Sequence, residues 1–295
     1  MLDVKRFSRA TYPTNDIEKI TEYYQAIIGL QLVDKTPQRA VMATKMGEEA
    51  IIFDASPDAH GDRVLELAFQ VPETVDLDEQ VALFNREGIG AEIVTDVTPA
   101  VRKALEITDP GGSRIQIMQN PQYGSIDTSN IGVGPLKLGH LGRKTTDVMP
   151  YVDFYTKLFG FKLSDWREGL AYFLRCDRHH HSINFFKHKT DSLHHMAFEL
   201  SSWGHLHDAL DLLGRNSRKC EWGPSRHTIA HNVAAYHRDP EGRLVEFFTE
   251  MDIVNELGFF EPRPWHDMFP QRPQAWPDGT SSNYWGELEI SAADG

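Results

Sequence analysis

The 295-residue sequence has little cysteine: Cys176 and Cys220 are the only two. Two thiols cannot make a disulfide framework, so both are expected to be buried and reduced. A cytoplasmic location is the corresponding expectation. Positive charge is also scarce, with 30 Lys and Arg against 43 Asp and Glu and a net charge of −13. That balance opposes nucleic acid and anionic membrane as partners. No apolar run approaches the ~20 residues of a membrane span. The first residues, MLDVKRFSRATYPTND, lack a signal-peptide core, so no secretory leader is expected. Against these absences stand 40 % hydrophobic residues, 25 % charged residues and 14 histidines, a globular composition with an unusual store of imidazole.

The chain repeats itself. TNDIEKITEYYQAIIGLQLVDKT, from Thr14, matches TTDVMPYVDFYTKLFGFKLSDWR, from Thr145. Both read as an amphipathic helix, a glycine stop (Gly29, Gly160) and a strand. VLELAFQV, from Val64, matches SLHHMAFEL, from Ser192, and ITDPGGSRIQIM, from Ile107, matches HRDPEGRLVEFF, from His237. Each D-P-x-G is a turn feeding an alternating strand. The displacement is 129 to 131 residues throughout, so residues 1–130 and 136–295 are expected to form two tandem domains. Gln119–Pro135, rich in turn formers, reads as the linker. Each copy divides again, with module starts near Arg6, Arg63, Lys137 and Leu193. Four strand–helix–strands modules predict an α+β fold, with mixed sheets, helices on the outer face and a concave cup in each half. The aromatic, proline-rich tail after Met251 is expected to pack across the second half.

LHHMAFEL, from Leu193, contains two adjacent histidines that cannot share a strand face. The first copy acts as a control. In VLELAFQV, Leu65, Leu67, Phe69 and Val71 form an apolar helix-packing face, and Glu66, Ala68 and Gln70 face the cup. Superposing the copies puts His194 on the helix face and His195 in the cup. The same register aligns Gln116 with Glu246 and Arg9 with His140. The second cup therefore collects His140, His195 and Glu246, and the first collects Arg9, Glu66 and Gln116. Two imidazoles and one carboxylate with other positions open make the facial triad of non-haem Fe(II) oxygenases. Arg9 in place of the first histidine is expected to keep metal out of the first cup.

With these residues in place, the sequence resembles the type I extradiol ring-cleaving dioxygenases of the vicinal oxygen chelate superfamily. Residues 1–290 share the resemblance. LGHLGRKTTDVMPYVDFYTKLFGFKLSD resembles the first iron-ligand strand and its helix, and LHHMAFEL the second, whose second histidine is the ligand. YFLRCDRHHHSINFF resembles the strand with the acid–base histidine, and GPSRHTIAHNVAAYHRDPEGRLVEFF the run of active-site His, Tyr and ligand Glu. The resemblance implies two βαβββ modules per domain in a half-open mixed β-barrel. It implies Fe(II) on His140, His195 and Glu246, with Mn(II) as the alternative metal. It implies a catechol and dioxygen as substrates, and ring opening beside the diol. His181 would be the acid–base; strand parity alone leaves His179 equally placed. His227 and Tyr236 would hydrogen-bond the catecholate, and Phe173, His231 and Ile229 would contact the substrate. A homo-oligomer is expected. Ile229 and Ala230 stand where some family members carry Asn-Asp, so bicyclic-catechol preference does not transfer directly. Two competing readings use the same fold: a keto-acid-dependent Fe(II) dioxygenase, and a ligand-binding protein without chemistry. The R-H-T…Y…E run opposes the first, and the His/His/Glu set with His181 opposes the second. Trp265, Trp276 and Trp285 are candidates for a lid.

Overall fold

The computed structural model describes residues 2–57 and 62–286. The first sheet comprises β1 (Arg6–Thr14), β2 (Gln31–Lys35), β3 (Arg39–Ala43), β4 (Glu49–Ala55), β5 (Glu66–Gln70), β6 (Glu92–Thr98), β7 (Val101–Thr108) and β8 (Arg114–Met118). The second comprises β9 (Lys137–Thr145), β10 (Lys162–Arg167), β11 (Ala171–Arg175), β12 (Ile183–Lys187), β13 (Ser192–Glu199), β14 (Cys220–Arg226), β15 (Val233–Arg238), β16 (Leu244–Thr249) and β17 (Gln274–Ala275). Helices α1 (Ile17–Tyr23), α2 (Leu77–Arg86), α3 (Met149–Phe159) and α4 (Trp203–Arg215) follow β1, β5, β9 and β13. The fold is thus α+β, four βαβββ modules in two curled sheets. Each half joins its two modules through their first strands, which run antiparallel as β1–β5 and β9–β13. Among the described residues no helix is long and apolar enough to cross a membrane.

Local chemistry sets the element ends. Asp16, Asp76 and Ser202 each accept backbone N–H groups at the start of α1, α2 and α4. Gly29 and Gly160 take the left-handed conformation that ends a helix, with φ of 83° and 73°. Before Gly29, α1 widens into a π-helical turn, Tyr24–Ile28.

Helices α1 and α3 pack on the outer faces of their sheets, and those faces are turned toward the other half. Tyr24 lies 4.8 Å from Phe53 of its own half and 6.5 Å from Phe198 of the other. Tyr155 lies 5.6 Å from Phe185 and 6.0 Å from Phe69 across the divide. One apolar core therefore serves both halves. The two D-P-x-G turns fasten it. Asp109 caps its own turn through Oδ1 and pairs with Arg143 of β9 through Oδ2. Asp239 caps its turn in the same way and accepts from Tyr24 at 3.3 Å. The linker 119–135 is stapled to the first half, with Gly124 N–H on Gly47 O and Val133 N–H on Ile27 O.

Behind β9 and β13, Lys137 and Glu199 are register partners, and a loop brings His179 to them. His179 lies 3.2 Å from Asp177 and 3.5 Å from Glu199. Burial opposes its charge, but the two carboxylates prevail and raise its pKa from 6.5 to about 9. A group raised on folding stabilises fully below its unfolded pKa and loses that contribution as pH rises through the folded value. Denaturant stability should therefore fall between pH 6.5 and 9, by at most ~3 kcal/mol at 1.36 kcal/mol per pKa unit. His179→Gln should flatten that fall; an unchanged slope in the variant would assign it to other groups.

Candidate metal centre and substrate cavity

Three neighbouring strands, in the order β16–β13–β9, build the floor of the second cup. Ala197 of β13 is in register with His140 on one side and Glu246 on the other. Its methyl group leaves the space between them open. His195, two residues earlier on β13, reaches into that space. His140 Nε2 is 3.1 Å from both His195 Nε2 and Glu246 Oε2, and His195 Nε2 is 3.2 Å from Glu246 Oε2. An ion ~2.1 Å from three donors at right angles separates them by ~3 Å, so the triangle fits one first-row divalent cation.

The surroundings prepare these donors. Glu246 has no exposed surface, and burial alone would raise its carboxyl pKa. The nearby His140, His227 and His195 rings instead hold it well below the usual range. Asn232 Nδ2 donates to Glu246 Oε1 at 2.9 Å. Burial holds His195 far below the usual imidazole pKa, so it is a neutral donor at pH 7. The two glycines of LGHLG have steric reasons. A Cβ on Gly142 would lie 2.6 Å from His195 Nδ1, and one on Gly139 would overlap the Phe248 ring, which packs 4.7 Å from His140.

His194 departs from the sequence-based placement. A β-bulge falls between Leu193 and His195, so alternation breaks at His194. Its ring turns into the cup wall, 4.6 Å from Phe186, rather than onto the helix face. His194 Nδ1 lies 2.6 Å from His195 Nδ1. With His195 Nε2 turned to the donor triangle, its Nδ1–H donates to His194, which orients the ring.

A cavity of about 680 Å³ opens above the triangle. Its wall includes Phe173, His181, His227, Ile229 and Tyr236, as the sequence suggests. His181 stands 4.2 Å from His140, ring to ring, and 5.2 Å from Phe173. His179, its rival, sits in the ion cluster described above. Both histidines lie in the loop between β11 and β12, where strand parity does not apply. His227 Nε2 is 2.7 Å from the Tyr236 hydroxyl, and the His227 ring stacks on Trp222 at 5.1 Å. Burial and the charge of Glu246 push the Tyr236 phenol well above its usual pKa.

His231 does not line the cavity. Its Nδ1 is 2.7 Å from Asp252 Oδ2, and His266 Nε2 is 2.9 Å from Asp252 Oδ1. The donor atoms of this trio lie within 4.8 Å of one another, and each ring takes its own carboxylate oxygen, which ties the tail to the loop before β15. The tryptophans do not form the lid either. Trp265 stacks under Arg226 at 3.7 Å, Trp276 Nε1 donates to Asp165, and Trp285 packs on Trp203. Thr280, Ser281 and Ser282 of the tail reach the cavity instead.

The first cup is closed by its own side chains. The Arg9 guanidinium donates to Gln116 at 2.7 Å, Glu66 at 3.2 Å and Glu49 at 3.3 Å, all buried. Ala68, Ala100, Val101, Ala104 and Met118 form an apolar cluster beside them. Metal analysis should accordingly return one tightly held ion per chain. His195→Ala should lose it, whereas His194→Ala should weaken binding ~10–100-fold through the lost orienting bond. A second tight ion, or retention by His195→Ala, would contradict the assignment.

The profile of the Glyoxalase/Bleomycin resistance protein/Dioxygenase superfamily matches residues 6–117 and 137–247. A 3-methylcatechol 2,3-dioxygenase of Pseudomonas putida is 29 % identical over 205 residues, 63 % of this chain and 70 % of that protein. A biphenyl-2,3-diol 1,2-dioxygenase of Paraburkholderia xenovorans is 27 % identical over 231 residues, 70 % of this chain and 74 % of that protein. Metapyrocatechase 2 of Cupriavidus necator is 23 % identical over 186 residues, 56 % and 58 % of the two chains. Among solved structures, a Mn(II)-bound glyoxalase of Novosphingobium aromaticivorans superposes with a TM-score of 0.82 at 22 % identity, over 97 % of this chain and 92 % of the other. The 2,3-dioxygenase LapB of Pseudomonas sp. KL28 superposes with a TM-score of 0.77 at 20 % identity, over 93 % and 98 %. Two profile matches, one on each repeat, and relatives that are named dioxygenases agree with the geometry: this chain belongs to the Glyoxalase/Bleomycin resistance protein/Dioxygenase superfamily.

Proposed function

We propose that this protein is an Fe(II)-dependent extradiol dioxygenase that opens the ring of a substituted catechol with dioxygen. The observation that carries the reading is the donor triangle of His140, His195 and Glu246 at the floor of a cavity whose wall supplies His181 and Tyr236. The names of the sequence relatives support the same reaction class. When bound, Fe(II) would bring catecholate and dioxygen together and pass electron density between them.

The chain's own groups have distinct tasks. His181 is held neutral, since burial and then the neighbouring His140 ring lower its pKa well below the usual value. It can take a proton from a catechol hydroxyl and return one to the opening ring. The His227–Tyr236 pair holds a hydrogen-bond donor toward the catecholate oxygens. Because the Tyr236 phenol stays protonated, it donates rather than competes as an anion. Phe173, Phe186, Ile229, Leu244 and Trp222 give the wall an apolar surface for the ring and its substituent. This surface favours an alkyl- or aryl-substituted catechol over one bearing several charges.

The test is anaerobic loading with Fe(II), then a panel of catechols under air with oxygen uptake and product absorbance recorded. The expected result is oxygen consumption and a coloured ring-opened product, with no added keto acid. A strict keto-acid requirement would assign the site to the competing dioxygenase class, and catechol binding without oxygen uptake would assign it to a binding protein. His181→Phe should keep its iron and lose turnover ~10²–10⁴-fold, the usual share of one general acid–base. Equal turnover in that variant would move the proton-transfer role elsewhere.

A further inference from the structure

His181 heads a chain of contacts that ends in the C-terminal tail. His181 Nδ1 lies 3.1 Å from His180 Nδ1. His180 Nε2 lies 3.0 Å from Asp165 Oδ2. Asp165, on β10, has both oxygens engaged by the tail: Oδ1 accepts the Gln274 backbone N–H at 2.8 Å, and Oδ2 accepts Trp276 Nε1–H at 2.9 Å. His180 is fully buried, and its ring stacks on Phe260 of the tail at 5.3 Å with planes 20° apart. Its backbone N–H is fixed on Asp252 O at 2.9 Å.

The bond directions follow from these partners. An ionised carboxylate can only accept, so His180 Nε2 carries a proton and donates it to Asp165. With His180 as a neutral ring, the premise of the inference, its Nδ1 is unprotonated and accepts. His181 Nδ1, facing it, must be the donor. The remaining nitrogen of His181, Nε2, is left without a proton. We infer that Asp165 and His180, locked by Gln274, Trp276 and Phe260 of the tail, hold His181 in the one tautomer whose Nε2 is a proton acceptor.

Asp165 and His180 are positioning residues; they act through His181. A proton taken at His181 Nε2 makes an imidazolium whose Nδ1–H still donates to His180, with the Asp165 carboxylate at the far end to offset the charge. The tail's Trp276 thereby acts in the chemistry without lining the cavity. The inference rests on His181 being the acid–base of the reaction proposed above for its consequence, but not for the tautomer itself.

Two measurements test it. Neutron diffraction from crystals of the deuterated, iron-loaded protein reads the tautomer directly. Deuterium should lie on His180 Nε2 and His181 Nδ1, and none on His181 Nε2; density on His181 Nε2 would overturn the inference. Kinetics read the consequence. Asp165→Asn must turn an amide N–H either onto the Gln274 N–H or onto Trp276 Nε1–H and His180 Nε2–H, so it breaks the tail's lock and removes the charge at the far end of the chain. Its kcat should fall by ~10-fold or more, with KM and iron content near wild type. Trp276→Phe keeps a ring and removes one donor, and should lower kcat in the same direction by less. Should Asp165→Asn fail to fold, Trp276→Phe and the wild-type neutron map still decide. Undiminished kcat in a folded Asp165→Asn protein would overturn the positioning role. A wild-type protein inert to every catechol would instead overturn the reaction, and the neutron map would still decide the tautomer.

Discussion

A carboxylate with no exposed surface dictates the rest of this site. Glu246 lies on β16, an interior strand of the second sheet, and is fully buried. Removing an ionised carboxylate from water is costly unless a cation or several donors compensate it. One oxygen has Asn232 as a donor. The other faces the Nε2 atoms of His140 and His195, which carry lone pairs when neutral. Three donors with that separation and that single negative charge suit a divalent ion, as proposed above, and the triangle borders the cavity. The small Ala197 between the strands, the glycines beside the ligands and the bulge at His194 all follow from keeping that point clear.

The first half solves the same burial problem without a metal. Where the second half has His140, the first has Arg9, and its guanidinium satisfies Glu66, Glu49 and Gln116 at once. Three exchanged residues, Arg9 for His140, Glu66 for His195 and Gln116 for Glu246, thus separate this structural copy from the one proposed to react. The second half still depends on the first, because α1 and α3 share one core and both D-P-x-G turns reach across it.

Much of this was legible in the sequence, for identifiable reasons. The duplication is carried by caps, glycine stops and turns, which depend on local chemistry. The donor set could be placed because strand alternation and the repeat agree on His140, His195 and Glu246. His194 escaped because a bulge depends on how β13 pairs with β9, and a count of alternate residues does not register one extra residue. His180 escaped because it lies in a loop, and its partner Asp165 is fifteen residues away. The tail's role escaped because a proline-rich segment has no periodicity to read. The tryptophans there promised a lid, but they are spent on Asp165, Arg226 and Trp203, and small hydroxyl side chains meet the cavity. His231 escaped because the left-handed backbone at Ala230 and His231 turns its ring toward Asp252.

The proposed reaction thus draws on the His140, His195 and Glu246 triangle, on His181, on the His227 and Tyr236 pair and on the apolar part of the wall. That combination suits a neutral aromatic diol that gives up a proton as it binds. The proposed reaction inserts dioxygen beside the diol at this one site. Turnover of a catechol by the Fe(II)-loaded protein under ¹⁸O-labelled dioxygen tests it most directly. Both labelled atoms should appear in a product cleaved outside the two hydroxyl-bearing carbons. Cleavage between those carbons, or a product carrying label at one atom with the other lost to a co-substrate, would contradict it.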